Sequence, residues 1–138
     1  MNYFIGMAYD IIGKKDEAKA FYKIAAGENS AKNVDVMDYY RGLAFQRLGD
    51  NTYAQIIFNS MIKEANRQLN ISQTSETGVI FGAQEAENIR QSRYLTMRGL
   101  GNKGMANLKK AVEDLENATR ISHSNLWSKV ELDDIINN

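Results

Sequence analysis

The stretch "GLGNKG", residues 99–104, places glycines at 99, 101 and 104. That is the G-x-G-x-x-G spacing of a turn that lays a dinucleotide pyrophosphate on a helix N-terminus. The chemistry needs a strand before the first glycine and an acidic residue about 20 positions on to hold a ribose hydroxyl. Here "NIRQSRYLTMR" precedes the glycines with a helical period, and "TRISHSN" beyond them carries no carboxylate. The glycines are therefore expected at a corner between two helices, with no nucleotide bound. The single histidine, His123, has no carboxylate within four residues, and the chain has no cysteine. That leaves neither a proton-relay pair nor a metal-ligand set, so His123 is read as a loop or capping residue. The acidic pairs Asp16/Glu17, Glu113/Asp114 and Asp133/Asp134 are neighbours on a helix, pointing about 100° apart. They read as solvated faces with i,i+4 partners rather than paired catalytic carboxylates. The sequons at Asn70 and Asn117 are read as unused. The expectation is no catalytic residue, no cofactor and no metal: not an enzyme.

Composition sets the frame that must position whatever remains. The 138 residues suit one domain, and 43% hydrophobic residues suffice for a core. Seventeen Lys plus Arg balance seventeen Asp plus Glu, which argues against nucleic acid or an anionic membrane as the partner. No apolar run approaches the ~20 residues of a membrane span. The chain has no proline, which suits a mostly helical molecule. The start "MNYFIGMAYD" lacks the basic and long apolar regions of a signal peptide, so a cytoplasmic location is expected. It reads as a helix already under way, and the chain as a piece of something longer.

A repeat organises the first half. Gly6, Tyr9, Gly13, Ala18 and Tyr22 match Gly42, Phe45, Gly49, Ala54 and Phe58 in type, each 36 residues on. Glycine inside a helix costs about 1 kcal/mol against alanine, so Gly6 and Gly42 imply close helix approach. Gly13 and Gly49 end apolar periodic runs as C-cap glycines do, and "KKDEA" and "DNTYA" restart a helix. The unit is helix, tight turn, helix. After the polar loop expected over 70–82, the helical period returns from Ala83, and Ala111, Leu115 and Ala118 stand where Ala18, Tyr22 and Ala25 stand. Taking Gly101 as the third turn glycine leaves five extra residues before Ala111, so this unit reads as degenerate with extended helices. "SHSNLWSKVELDDII" reads as a closing helix, 124–136, capped by Ser124 or Asn125, with Trp127 and Val130 covering the end of the stack.

The pattern of small then aromatic, turn glycine, alanine and aromatic in "YFIGMAYDIIGKKDEAKAFYKIA" and "YYRGLAFQRLGDNTYAQIIFNSM" resembles the tetratricopeptide repeat (TPR). The family's proline after the second helix is absent, and "NSAKNVD" makes the link two residues longer than usual. The resemblance implies one all-α domain over 1–138: three antiparallel hairpins (1–28, 35–69 and a degenerate 83–121) stacked as a TPR-like superhelix, plus a C-terminal closing helix. It also implies a concave groove lined by the first helices. The groove positions are Tyr3, Met7, Asp10 and Ile11, then Tyr39, Leu43, Gln46 and Arg47, then Gln91, Leu95, Arg98 and Gly99 when Gly101 is the anchor. The Lys, Arg and Asn clamp of co-chaperone members is absent, since Tyr3, Met7, Tyr39 and Leu43 occupy those places. The implied ligand is an extended or helical apolar segment with one acidic residue to meet Arg47 or Arg98.

A second resemblance rests on "DYYRGLAFQRLG", "FGAQEAENIRQSRYL", "GLGNKG" and "SHSNLW". Together they are similar to the helical C-terminal part of large bacterial proteins that carry a β-sandwich domain of unknown function. The expected function is a non-catalytic scaffold binding a protein or peptide segment, or another domain of the same chain. The alternatives are a structural or regulatory module of a larger, carbohydrate-active bacterial protein, or a homo-oligomerisation module.

Overall fold

The fold, a computed structural model, describes residues 1–28, 33–71 and 82–138. Among the described residues all regular structure is helical: α1 (Asn2–Ile11), α2 (Lys15–Gly27), α3 (Asp38–Arg47), α4 (Asn51–Asn70), α5 (Ala83–Gly104), α6 (Leu108–Ile121) and α7 (Leu126–Asn137). Of the loop expected over 70–82, α4 takes Asn70, Ile71 ends that helix and Gly82 begins α5. The rest of that loop, 72–81, and 29–32 of the first link lie outside the described residues.

The tight turns obey one hydrogen-bond rule. Gly13 and Gly49 sit at φ +78° and +83°, the left-handed conformation that closes a helix and that glycine adopts without strain. The amide after each reaches back five residues: Lys14 N–H donates to the Tyr9 carbonyl at 2.9 Å, and Asp50 N–H to the Phe45 carbonyl at 2.9 Å. The third turn makes the same bond, Asn107 N–H to the Asn102 carbonyl at 2.8 Å. Its left-handed residue is not Gly101 but Ala106, at φ +61°. The expected corner at "GLGNKG" is thus corrected, because α5 runs on to Gly104.

The reason is a second use of glycine. A Cβ at Gly101 would stand 2.8 Å from Ile62 Cγ1 and 3.0 Å from the Phe58 carbonyl oxygen, so it is needed where α5 crosses α4. Gly99 is the counterpart of Gly6 and Gly42. A Cβ there would press on the residue sixteen positions on: Tyr22 from Gly6, Phe58 from Gly42, Leu115 from Gly99. Measured from Gly99, the third helix pair has the same spacings as the first two, and the five extra residues vanish. Alanine in the left-handed region costs roughly 1–2 kcal/mol. Ala106→Gly is therefore expected to raise the unfolding free energy by about 1 kcal/mol, glycine's unfolded-chain entropy taking back part of the relief. Urea denaturation checks this, and a loss of stability would contradict a strained turn at 106.

Consecutive helices pack on each other from α1 to α7, and α1, α3, α5 and α7 also touch in succession. The described parts of α2, α4 and α6 do not touch one another, so the odd-numbered helices form the tighter, inner row. Ala18, Ala54 and Ala111 are buried at 1%, 0% and 0% exposure, small where each pair crosses. One core cluster gathers Tyr3, Tyr22, Ala25 and Ala44, another Tyr39, Phe58, Met61 and Leu100, and Tyr40, Leu43 and Phe45 pack against both. Asn125, not Ser124, caps α7 by accepting from Ser128 N–H at 3.1 Å. Trp127 is half-buried, whereas Val130 is 63% exposed.

Candidate interaction face

The inner row brings together most of the residues expected to line a groove, but not as a uniform surface. Tyr3 and Tyr39 are 6% and 4% exposed, so they form a floor rather than a lining. Tyr39 packs on Phe58 with ring centroids 6.0 Å apart, and Tyr3 packs between Tyr22 and Tyr40 at 5.8 and 5.7 Å. Met7 and Leu43 are half-buried, Gln46 and Arg47 are exposed, and Ile11 is 81% exposed. The corrected register, 57 residues from Gly42 to Gly99, moves the α5 counterparts of Tyr39, Leu43, Gln46 and Arg47 to Thr96, Leu100, Lys103 and Gly104. Gln91, Leu95 and Arg98 therefore do not continue the row. Gln91 donates to Glu87 on its own helix at 3.0 Å, and Leu95 is buried. Arg98 lies between α4 and α6, beside a polar cavity of about 270 Å³ lined by Asn66, Asn102, Lys110 and Glu113.

Both cations expected to meet an acidic ligand already have partners. Arg98 grips Asp114 through two hydrogen bonds, Nε to Oδ2 at 2.9 Å and NH2 to Oδ1 at 2.7 Å, and donates to Asn66 Oδ1 at 2.9 Å. Asp114 is 5% exposed, which corrects its reading as part of a solvated acidic pair. Arg47 faces Asp10 at 3.8 Å. Asp10 also accepts from Lys15 at 2.9 Å and from the Tyr22 hydroxyl at 2.7 Å. The Lys15 hydrogen bond, helped by the one from Tyr22, holds the Asp10 carboxyl below its usual 3.8. Burial and the bond to Asp10 push the Tyr22 hydroxyl up to about 12. Such a pair stays carboxylate and phenol at neutral pH, so it cannot trade a proton there. Among the described residues no group of three or more His, Cys, Asp and Glu is placed to hold a metal ion. His123 is exposed in the turn before α7.

The helix α7 fills the α5 end of the inner row. Its Trp127 stacks on Tyr40 of α3, centroids 5.7 Å apart and planes 4° from parallel. Its Glu131 and Asp134 both accept from Lys103 at 2.6 Å. Sequence patterning placed Trp127 at the end of the stack, and nothing in it signalled the reach across α5 to Tyr40. Burial opposes a charge on Lys103, but the bonds to Asp134 and Glu131 outweigh it and raise its pKa above 10.5. Burial pushes Tyr40 up to about 12 and Tyr39 well above the ordinary tyrosine value, with Glu131 adding to both.

These groups share one sign. Each has a higher pKa folded than unfolded, so its stabilisation is complete below about pH 10 and is lost as pH rises through the folded value. Alkaline unfolding is therefore expected between about pH 10 and 12, with Tyr22, Tyr39 and Tyr40 ionising together with the loss of helix. Tyrosinate absorbance followed beside ellipticity checks this. Independent ionisation near pH 10 with helicity intact would contradict it.

A cavity of about 350 Å³ opens between α1, α3 and the close of α2, lined by Tyr3, Met37, Asp38, Tyr40 and Arg41. Beyond this cavity, the C-terminal halves of α1 and α3 offer Met7, Ile11, Leu43 and Gln46. No helix is long and apolar enough to cross a membrane among the described residues. Compared with models of protein families, with curated proteins and with solved structures, the chain matches none.

Proposed function

We propose that the chain is a non-catalytic interaction scaffold: a TPR-like superhelix of three hairpins, closed by α7, that holds a protein or peptide segment along its inner row. One observation carries the reading. Three helix pairs repeat a single turn and packing register, yet the inner row leaves Met7, Ile11 and Leu43 partly or wholly to solvent beside the end that α7 fills. With Arg98 paired to Asp114 and the Gln46 amide donating to the Gly104 carbonyl at 3.3 Å, the segment it suits is mainly apolar and rests on the Tyr3 and Tyr39 floor. An acidic residue in the ligand would meet Arg47, whose side chain is 48% exposed and shares the one Asp10 carboxylate with Lys15.

The test is capture of partners by the wild type beside an Ile11→Lys, Gln46→Lys variant. Both positions are exposed, so the variant keeps the fold, which ellipticity verifies. The scaffold reading expects one protein retained by the wild type and lost by the variant, with its binding segment competing as an apolar peptide. Equal recovery by both proteins would sink it. A second reading, a structural module inside a larger protein, is favoured by a different observation, the exposure of Phe4, Ile11 and Ile12 at α1.

A further inference from the structure

The helix α7 is held by one side only. Trp127 stacks on Tyr40, Glu131 and Asp134 accept from Lys103, and the buried Ser128 shares a hydrogen bond of 2.8 Å with Thr119. The opposite side faces solvent. There Leu126, Lys129, Asp133 and Ile136 recur at intervals of three, four and three residues, the a and d spacing of a coiled-coil seam. All four are exposed, Leu126 at 68% and Ile136 at 61%, with Val130 beside them at 63%. Among the described residues Lys129 and Asp133 have no ion pair. A lysine four residues before an acid is also the poorer orientation for pairing along one helix.

The order of charges decides what fits this seam. From its start it runs apolar, cation, anion, apolar. Laid antiparallel on a second copy of itself, Leu126 meets Ile136 and Lys129 meets Asp133, each pair occurring twice about a two-fold axis. Laid parallel, lysine would face lysine and aspartate would face aspartate, so the charges that favour one orientation reject the other. The exposed residues of α1 make a poorer match. Phe4 already packs on Tyr40 at 4.8 Å, and Asp10, the one charged residue of α1, is tied to Lys15 and Tyr22. We propose that α7 pairs antiparallel with α7 of a second copy, forming a two-fold dimer through Leu126, Lys129, Asp133 and Ile136. One helix per partner covers less than the roughly 800 Å² per partner of a standard interface, so the dimer is weak and forms only at high concentration. The seam uses none of Met7, Leu43 or Gln46, and the inference holds whether or not the inner row binds a partner.

The test is sedimentation equilibrium of the whole chain up to millimolar concentration, beside Lys129→Asp, Asp133→Lys and the two changes together. Both positions are exposed, and ellipticity verifies each fold. The wild type is expected to dimerise. Either single change sets like charges opposite each other in both central layers. Each is expected to weaken dimerisation roughly ten-fold, the size of two exposed pairs turned from attraction to repulsion. The chain with both changes regains the wild-type affinity. An equimolar mixture of the two single variants regains it too, because opposite charges meet again across the seam. A wild type that stays monomeric at millimolar concentration overturns the proposal. So do single variants that dimerise like the wild type, or losses that neither the double change nor the mixture recovers. A dimer that Ile12→Glu dissolves and the α7 variants leave intact also overturns it, since α1 would then be the interface.

Discussion

Phe58→Ala lowers the unfolding free energy by about 3–5 kcal/mol, the cost of emptying a large aromatic site that cannot collapse. Phe58 is 0% exposed. Its ring lies against Gly42 of its own pair and against Gly104 at the end of α5, where an added Cβ would stand 2.5 Å from the ring. Three helices therefore meet on one side chain, and glycines on both neighbours hold the space for it. A loss of that size is a large part of an ordinary domain's 5–15 kcal/mol, so the variant is expected to be largely unfolded in about 2–3 M urea. Chemical denaturation followed by ellipticity measures it. Gly42→Ala supplies the converse, because its methyl group must displace the same ring. In a Phe58→Leu background that methyl group is expected to cost less than in the wild type, a coupling of at least about 0.5 kcal/mol. Additive effects would mean that Phe58 and Gly42 do not share the space.

Asp114→Ala comes next, at about 2–3 kcal/mol. Removing one partner of a buried ion pair typically costs 3–5 kcal/mol because the other charge is stranded. The figure here is lower, since the Arg98 side chain is 30% exposed and keeps its bond to Asn66. The paired change Arg98→Met with Asp114→Leu is expected to cost less than Asp114→Ala alone, because neither charge is then left without its mate. A loss below about 0.5 kcal/mol for Asp114→Ala would class the pair with exposed ones and overturn its place in the α5–α6 seam. Unfolding midpoints of the three variants decide the matter.

The candidate face was legible in the sequence only where a signal was local. Tyr39, Leu43, Gln46 and Arg47 follow from the 36-residue register and do share the inner row. The error at Gln91, Leu95 and Arg98 came from anchoring on Gly101. A glycine can mark a backbone that must turn or a backbone that another helix must approach, and one letter does not distinguish them. The spacing from Gly99 to Leu115 was the available signal, since it repeats the sixteen residues from Gly42 to Phe58. No signal in α5 or α6 pointed to the Arg98–Asp114 pair.

By itself the sequence determined the helical class, the turns at Gly13 and Gly49, and the burial of Ala18, Ala54 and Ala111. Those depend on the conformational preferences and periodicity of neighbouring residues, which are written consecutively. Only the tertiary structure decided that the third turn falls on Ala106, that Arg98 is spent on Asp114 while Arg47 faces Asp10, and that Trp127 reaches Tyr40. It also decided that Phe4, Ile11 and Ile12 at α1 stay largely exposed. Each of these depends on which residues, distant in the chain, come to share a few cubic ångströms. A contact of that kind is set by the packing of whole helices, and no short stretch of sequence encodes it.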